Sequence, residues 1–150
     1  MAKLLITGGA GFIGSHTTLL LLEAGHQVVV LDNFSTSRPE ALQRVSRLAG
    51  ATAGSRLTIV EGDIRDPLAL DQAFQNTPGS FDAVIHFAGL KAVAQSVHQP
   101  LLYWDVNVGG SQRLLATMER HGCHTLVFSS SATVYGFPER IPIPETAALQ

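Results

Sequence analysis

The amino-acid sequence predicts an α/β fold, a doubly wound and mostly parallel sheet that is incomplete at the C-terminus. Three observations predict this class: five short apolar runs, helical patterns between them, and a glycine-rich turn after the first run. Strands that alternate with helices form parallel sheets through right-handed crossovers. We therefore expect residues 1–150 to form one domain whose ligands bind beyond the carboxyl ends of its strands.

The composition is that of a folded protein with a substantial core. Hydrophobic residues make up 45% of the 150 residues and charged residues 15%, with a net charge of −2. There is no basic run, so nucleic acid is not an expected partner, and no apolar stretch approaches the roughly 18 residues that suggest a membrane span. The single cysteine, Cys123, leaves no internal disulfide and fits a reducing, cytoplasmic compartment.

The first strand and the first helix enclose the glycine turn. The apolar run Leu4-Leu5-Ile6 leads into the turn over residues 7–14, and a helix is expected from Phe12 to Ala24, with Gly25 after its end. Its apolar residues are dense, which predicts that the helix is buried against the sheet; they are Phe12, Ile13 and residues 19–22.

Glycines suit this turn for a chemical reason. They permit a tight strand-to-helix connection and let backbone N–H groups approach a pyrophosphate, toward which the next helix points its positive dipole end. The spacing fits two patterns, Gly9-x-Gly11-x-x-Gly14 and Gly8-x-x-Gly11-x-x-Gly14. A glycine turn alone also ends ordinary strands, so the neighbouring elements decide whether it predicts a dinucleotide site.

The second strand favours the dinucleotide interpretation. It is expected over Gln27–Leu31, and Asp32 follows directly, about 20 residues after the glycines, where an acid accepts hydrogen bonds from the adenosine ribose. An acid also repels a 2′-phosphate, and the nearest following arginine, Arg38, is not adjacent. The pattern therefore favours NAD over NADP, and the alternative is a merely polar strand end.

Apolar runs, caps and turns predict the remaining elements. A helix is expected over residues 39–48, a loop over residues 49–55, and a third strand over Leu57–Glu61. Asp66-Pro67 is typical of an N-cap followed by proline in the first turn of a short helix ending near Phe74. Further along we expect a turn at Pro78-Gly79, a strand over Ala83–Phe87, a long helix from about Pro100 to His121 that Gly109-Gly110 weakens, and a strand over Thr125–Ser129.

Residues at the carboxyl ends of these strands are candidate ligand contacts. Asp63 could accept from an adenine amino group while Ile64 packs on the ring, or it could be a turn carboxylate bonded to local backbone. Ala88-Gly89 lets the backbone pass close to a ribose and pyrophosphate. Ser131 places a hydroxyl where a nicotinamide and a substrate alcohol would meet.

The six histidines do not predict a metal site, because none forms a cluster at ligand spacing. His86 ends a buried strand and is interpreted as a hydrogen-bonding core residue. Tyr103 and Trp104, on the long helix, are interpreted as packing or subunit contacts.

Five motifs together point to one protein family. They occupy residues 7–16, 31–33, 62–66, 86–93 and 129–136. With these motifs the sequence resembles the extended short-chain dehydrogenase/reductase superfamily and, within it, the UDP-glucose 4-epimerase (UDP-galactose 4-epimerase) family. The resemblance covers essentially the whole chain, and the last two motifs are the most specific.

The resemblance implies a Rossmann-type domain with a permanently bound NAD. In the family, NAD takes a hydride from C4 of UDP-glucose or UDP-galactose and returns it to the other face of a 4-keto intermediate. The implied NAD contacts come from the glycine turn, the ends of the next strands and the loop after the fourth strand: Gly8, Gly11, Phe12, Ile13, Gly14, Asp32, Asn33, Phe34, Ser35, Thr36, Ser37, Asp63, Ile64, Phe87, Ala88, Gly89 and Lys91.

The resemblance also implies roles toward the substrate. Ser131 would hydrogen-bond the reacting 4-hydroxyl and help to relay its proton, and Lys91 would help to position the sugar nucleotide. The family's general base is the tyrosine of a Tyr-x-x-x-Lys pair, whose lysine lowers a phenol pKa that is otherwise about 10. The family places that pair and the sugar-nucleotide domain beyond the position of Gln150, and the lysines of this sequence are Lys3 and Lys91. We therefore expect the 150-residue chain to be inactive alone, and a full-length form to be a homodimer.

Two other functions remain open. A nucleotide-sugar dehydratase or decarboxylase of the same superfamily is disfavoured because Ala132 stands where an acid would be expected. A non-catalytic NAD-binding module is the third possibility.

Overall fold

The computed structural model describes residues 1–75 and 79–150, and it confirms the predicted α/β class. Within these residues, five strands form one parallel sheet: β1 Lys3–Thr7, β2 Gln27–Asp32, β3 Leu57–Glu61, β4 Ala83–His86 and β5 Leu126–Phe128. Their order across the sheet is β3-β2-β1-β4-β5. The reversal of direction beside β1 is the switch point at which such sheets bind ligands.

The register aligns the carboxyl ends of the three central strands. Thr7 pairs with Leu31 of β2 on one side and with His86 of β4 on the other. The glycine turn, Asp32 and Phe87 therefore emerge together at one edge of the sheet. The predicted ends of β2, β4 and β5 differ from the observed ones by one residue each.

The helices are α1 Phe12–Glu23, α2 Pro39–Gly54, α3 Pro67–Gln75, α4 Val93–His98, α5 Pro100–Trp104 and α6 Gly110–Arg120. A π-helical turn over Asp105–Gly109 joins α5 to α6, and a short 3-10 helix spans Ala132–Tyr135. None of the helices in the described ranges is long and apolar enough to cross a membrane.

Two apolar clusters lie on opposite faces of the sheet. Odd-numbered residues such as Leu5 and Val29 pack with Leu70 of α3 and Leu114 of α6. Even-numbered residues such as Ile6, Val28 and Val30 pack with Leu22 of α1 and with Leu42 and Val45 of α2. Successive strand residues point to opposite faces, so a continuous apolar run serves both clusters.

The prediction that the apolar residues of α1 are buried was partly wrong. The buried face consists of Gly14, Thr18 and Leu22, whereas Phe12 is 83% exposed and Leu20 is 65% exposed. Positions four apart share one face of a helix, so four consecutive leucines cannot all point inward.

The loop predicted over residues 49–55 was wrong as well. Helix α2 continues to Gly54, with a kink at Gly50, whose φ of 80° breaks the helical geometry. Ala49, Ala51 and Ala53 favour helix on both sides of that residue. The small and polar residues of this segment therefore form a helix that is interrupted at Gly50, and not a loop.

The long helix predicted from about Pro100 to His121 runs without a break to Arg120, but it is not uniform. Gly109 ends the π-helical turn and Gly110 begins α6. Helix α4 had not been predicted. Asp66 caps α3 as expected, because its carboxylate accepts from the backbone N–H of Leu68 at 2.9 Å. Of the turn predicted at Pro78-Gly79, Pro78 lies outside the described residues.

Candidate dinucleotide site

A cavity of about 730 Å³ lies at the carboxyl edge of the sheet. Its size is typical of small-molecule sites. It is lined by every implied NAD contact except Phe34: Gly8, Gly11, Phe12, Ile13, Gly14, Asp32, Asn33, Ser35, Thr36, Ser37, Asp63, Ile64, Phe87, Ala88, Gly89 and Lys91. The structure thus brings together residues from four separate segments of the chain.

Gly8 lets two segments of backbone pass each other at the cavity. Its φ is +71°, and a Cβ there would lie 2.6 Å from the backbone nitrogen of Ala88. Its N–H donates to the carbonyl oxygen of Leu31 at 2.9 Å. A side chain at this position would push the glycine turn away from the loop that follows β4.

The N-terminus of α1 opens onto the same cavity. The first N–H groups of a helix have no intrahelical acceptor, and they carry the positive end of its dipole. Here they belong to Phe12 and Ile13, which line the cavity, and the first turn contains no acidic residue. A Cβ at Gly14 would collide with the carbonyl oxygen of Gly8, so the turn folds tightly against its own helix. This arrangement fits a phosphate group.

Asp32 joins the end of β2 to the glycine turn. It is 8% exposed, and its Oδ2 atom accepts from the N–H of Ala10 at 2.9 Å. Its Oδ1 atom accepts from the N–H of Phe34 and from the hydroxyl of Ser37, both at 2.9 Å. A carboxylate offers about four acceptor positions. One position on Oδ2 is left for a ligand hydroxyl.

Asp63 makes local hydrogen bonds of the kind expected for a turn carboxylate, one of the two alternatives drawn from the sequence. Its Oδ1 accepts from the N–H and Nε of Arg65, and its Oδ2 accepts from Nη2 of Arg65 and from the amide of Asn33, all at 2.8–3.0 Å. The hydrogen bonds from the Arg65 side chain are the main cause of a pKa lowered to about 2. All of its acceptor positions are occupied, so an adenine amino group would have to displace the Asn33 amide.

Arg65 extends this network to the π-helical turn. Its Nη1 donates to Asp105 at 3.1 Å, and Arg113 donates to the same carboxylate at 3.3 Å. The hydrogen bonds to both carboxylates raise the pKa of Arg65 further above its usual value. The segment over residues 63–65, which lines the cavity, is therefore fixed from two sides.

The loop after β4 is held by side chains of the long helical segment. The amide of Asn107 pairs with Leu90, accepting from its N–H at 2.8 Å and donating to its carbonyl at 3.0 Å. The hydroxyl of Tyr103 accepts from the N–H of Ala92 at 3.1 Å and lies 2.9 Å from its carbonyl oxygen. A Cβ at Gly89 would approach the Asn107 Oδ1 atom at 3.1 Å. Hydrogen bonds from the side chains of Asn107 and Tyr103 thus fix the position of the loop backbone.

His86 is the core hydrogen-bonding residue that the sequence predicts. It is 2% exposed and bonds to the hydroxyls of Thr7 at 2.6 Å and Ser111 at 2.9 Å. Burial lowers the pKa of His86 to about 4. The imidazole is therefore neutral at physiological pH.

Two implied contacts, Phe34 and Ser131, lie outside the cavity lining. Phe34 has a φ of 53° and packs against the cluster under α1 and α2 instead of lining the cavity. Ser131 is exposed and lies outside the cavity lining; its Oγ caps the 3-10 helix, accepting from the N–H and hydroxyl of Thr133. Lys91 lines the cavity and is exposed.

Sequence reasoning missed several residues of the lining. They include Arg65, Leu90, Gln95, Leu102, Tyr103 and Val106. Arg65 stands inside a motif that was already noted, and its spacing from Asp63 allows a local ion pair. Leu90 lies in the loop after β4, and the other four lie on helical segments that reach the cavity only through tertiary packing. Across residues 1–75 and 79–150 there is no group of three or more His, Cys, Asp or Glu residues that could hold a metal ion.

Comparisons with known proteins match this chain to one family model and to several UDP-glucose 4-epimerases. A family model described as GDP-mannose 4,6 dehydratase matches residues 5–150. The chain is 54% identical over 150 residues to UDP-glucose 4-epimerase 2 of Arabidopsis thaliana, covering 99% of this chain and 42% of that protein.

Two solved structures are similar throughout the fold. One is the UDP-glucose 4-epimerase of Bifidobacterium longum in complex with NAD+ and UDP, with a TM-score of 0.88, 42% identity, and coverage of 99% of this chain and 42% of that one. The other is the epimerase of Stenotrophomonas maltophila with bound NAD and formylated UDP-arabinopyranose, with a TM-score of 0.87, 41% identity, and coverage of 100% and 43%. The chain thus spans less than half the length of the relatives it matches.

Proposed function

Because this chain belongs to the GDP-mannose 4,6 dehydratase family and its relatives include UDP-glucose 4-epimerases, we propose that it is the NAD-binding part of a UDP-glucose 4-epimerase. The observation that carries the proposal is the cavity, where a helix N-terminus and Asp32 face one space at the switch point of the sheet. In this role the 150 residues form the Rossmann-type domain, and the sugar-nucleotide domain belongs to another part of the protein.

The cavity offers matched groups to each part of NAD. The backbone N–H groups of Phe12 and Ile13 would hold the pyrophosphate, and the free acceptor position of Asp32 would take one ribose hydroxyl. The carboxylate of Asp32 would repel the 2′-phosphate of NADP. Ile64 offers an apolar surface to the adenine, and Asp63 becomes available to it when the Asn33 amide moves.

Bound NAD would supply reversible hydride transfer at C4 of UDP-glucose and UDP-galactose. Ser131 and Lys91 are the groups that we assign to the substrate. Both are exposed at the carboxyl edge, and Ser131 stands three residues after β5 ends at Phe128. Between them, the N–H of Ser129 donates to the carbonyl oxygen of His86 at 3.1 Å. The hydroxyl of Ser131 would hydrogen-bond the reacting 4-hydroxyl and relay its proton, once it turns from Thr133.

One residue, Ala132, disfavours the dehydratase alternative. The family model carries a dehydratase description, but Ala132, the first residue of the 3-10 helix, cannot donate or accept a proton. An elimination from C5 and C6 of a sugar needs an acid and a base beyond the hydride carrier. Epimerisation needs no such acid at this position.

A homodimer and a cytoplasmic location complete the proposal. Val93, Val97, Leu101 and Trp104 are 69–83% exposed and lie on the two short helices α4 and α5, which the non-helical residue Gln99 separates. Several large exposed apolar side chains on neighbouring helices are typical of a subunit contact. We expect Trp104→Lys to lower the mass seen by light scattering, and Leu68→Lys, at an equally exposed leucine on α3, to leave it unchanged.

The decisive assay for the proposal follows the sugar. The purified protein that carries this chain is incubated with UDP-galactose, and the products are separated by chromatography. UDP-glucose as the product supports the epimerase, and a 4-keto-6-deoxy sugar supports the dehydratase. NAD binding without either product supports the binding module.

A further inference from the structure

A run of hydrogen bonds through His86 connects the residue before the glycine turn to the helical segment that holds the loop after β4. Thr7, immediately before the glycine turn, contacts Nδ1 of His86 at 2.6 Å, and Ser111 on α6 contacts Nε2 at 2.9 Å. The hydroxyl of Ser111 in turn donates to the carbonyl oxygen of Asn107 at 2.6 Å. The side chain of Asn107 holds the backbone of Leu90.

The direction of each bond follows from the atoms available. Ser111 has one hydroxyl proton, and the carbonyl oxygen of Asn107 has none, so the 2.6 Å contact between them uses the proton of Ser111. The Ser111 oxygen can then only accept from His86, which places a proton on Nε2. In a neutral imidazole Nδ1 is left as an acceptor, and the hydroxyl of Thr7 donates to it.

The two ends of this run lie beside two segments that line the cavity, the glycine turn and the loop after β4. Thr7 precedes Gly8, and Leu90 belongs to the loop against which Gly8 packs without room for a Cβ. A change in the orientation of the imidazole would move Thr7 and the loop of Leu90 relative to each other. The ring itself is fixed by its burial and by its contact with Phe128, at 5.6 Å between ring centroids.

We propose that His86 is a positioning residue for the dinucleotide cavity, held as the Nε2–H tautomer so that it joins the glycine turn to the loop over residues 87–92. The assignment of its effect to NAD rests on the proposed function. The proton on Nε2 follows from the hydrogen-bond pattern and does not depend on the proposed function. Burial, which keeps the imidazole uncharged, supports the assignment, since an imidazolium would donate from both nitrogens.

The tautomer is tested on the unmodified protein by NMR of the isotope-labelled imidazole nitrogens. The expected spectrum has a proton on Nε2 of His86 and none on Nδ1, throughout the neutral pH range. A proton on Nδ1 would overturn the proposal. This measurement needs neither NAD nor a variant that must fold.

The positioning role is tested by NAD affinity in a double-mutant cycle. Thr7→Val and Ser111→Ala each remove one hydroxyl of the run, and each is expected to raise the Kd for NAD by about fivefold to tenfold. Because both act through His86, the double variant should bind more tightly than the product of the two effects predicts. Thr117→Val is the control: it removes a buried hydroxyl on α6 that bonds to the Arg113 carbonyl oxygen, and it should leave the Kd unchanged.

The possible results separate this inference from the proposed function. Wild-type protein that binds no NAD contradicts the proposed function. Wild-type protein that binds NAD, with Thr7→Val and Ser111→Ala variants that bind it equally well, contradicts the role of His86 alone. Fully multiplicative effects would also contradict it, because they would mean that the two hydroxyls act independently.

Discussion

The carboxylate of Asp32 accepts a hydrogen bond from the backbone N–H of Ala10 at 2.9 Å, and this bond ties the end of β2 to the glycine turn. The same carboxylate accepts from the N–H of Phe34 and the hydroxyl of Ser37. Asp32 is thus a structural brace as well as a lining group of the cavity. Its replacement should affect folding and binding together.

We expect Asp32→Ala to lower the free energy of unfolding by about 2–4 kcal/mol, since it leaves three donors without their acceptor in a buried position. Denaturation with urea measures the change. Asp66→Ala is the matched control: Asp66 accepts from the N–H of Leu68 at an exposed helix start, and its loss should cost about 1 kcal/mol. Equal losses of unfolding free energy in the two variants would contradict the structural role of Asp32.

Gly8→Ala and Gly25→Ala separate backbone strain from close approach. Both glycines have a positive φ, +71° and +89°, but only at Gly8 would a Cβ meet backbone, whereas at Gly25 nothing lies within 4 Å. Gly25→Ala should cost about 1 kcal/mol of stability from strain. Gly8→Ala should cost about 1–3 kcal/mol more, because the loop at Ala88 must shift. Thermal or urea unfolding of the two variants measures the difference.

Arg65→Gln should raise the pKa of Asp63 from about 2 toward its ordinary value of 3.8, because the Arg65 side chain provides its strongest hydrogen bonds. NMR titration of the carboxyl group measures this shift. The expected loss of stability is only about 0.5–1 kcal/mol, since the ion pair is about one-third exposed. Arg113 contacts Asp105 and not Asp63, so the control variant Arg113→Gln should leave the pKa of Asp63 unchanged.

The pH dependence of stability should carry a contribution from His86. Its pKa is lowered by burial from 6.5 to about 4 in the folded protein, so the unfolded chain binds more protons between these values. Stability therefore falls as the pH drops through this window, by at most about 1.4 kcal/mol per pH unit, and the loss is complete below pH 4. Urea denaturation of wild type and His86→Gln over this range isolates the contribution, which should be absent from the variant.

The sheet and the glycine turn could be predicted from the sequence because their signals are local. Apolar runs give the strands, and Gly8, Asp32 and Asp66 stand at strand or helix ends where few other residue types would serve. The parallel register then brings the carboxyl ends together. This is why most of the cavity lining can be predicted from the sequence.

The remainder depends on tertiary packing. The exposed positions of Phe12 and Leu20, the π-helical turn at Asp105–Gly109 and the approach of Tyr103 to Ala92 have no local signature. The same is true of the hydrogen bond that the Asp63 carboxylate accepts from Asn33, thirty residues away along the chain, whereas its bonds from Arg65 are local. The residue type at a strand end predicts a candidate ligand contact. Which of its atoms can still bind a ligand depends on the hydrogen-bond partners that tertiary packing brings to it.

The most direct measurement of the central claim is a calorimetric titration of the protein with NAD and, in parallel, with NADP. We predict saturable binding of one NAD per chain and at least about tenfold weaker binding of NADP, because the Asp32 carboxylate is set against a 2′-phosphate. Absence of saturable NAD binding, or equal affinity for the two dinucleotides, would contradict the claim that this cavity is an NAD site.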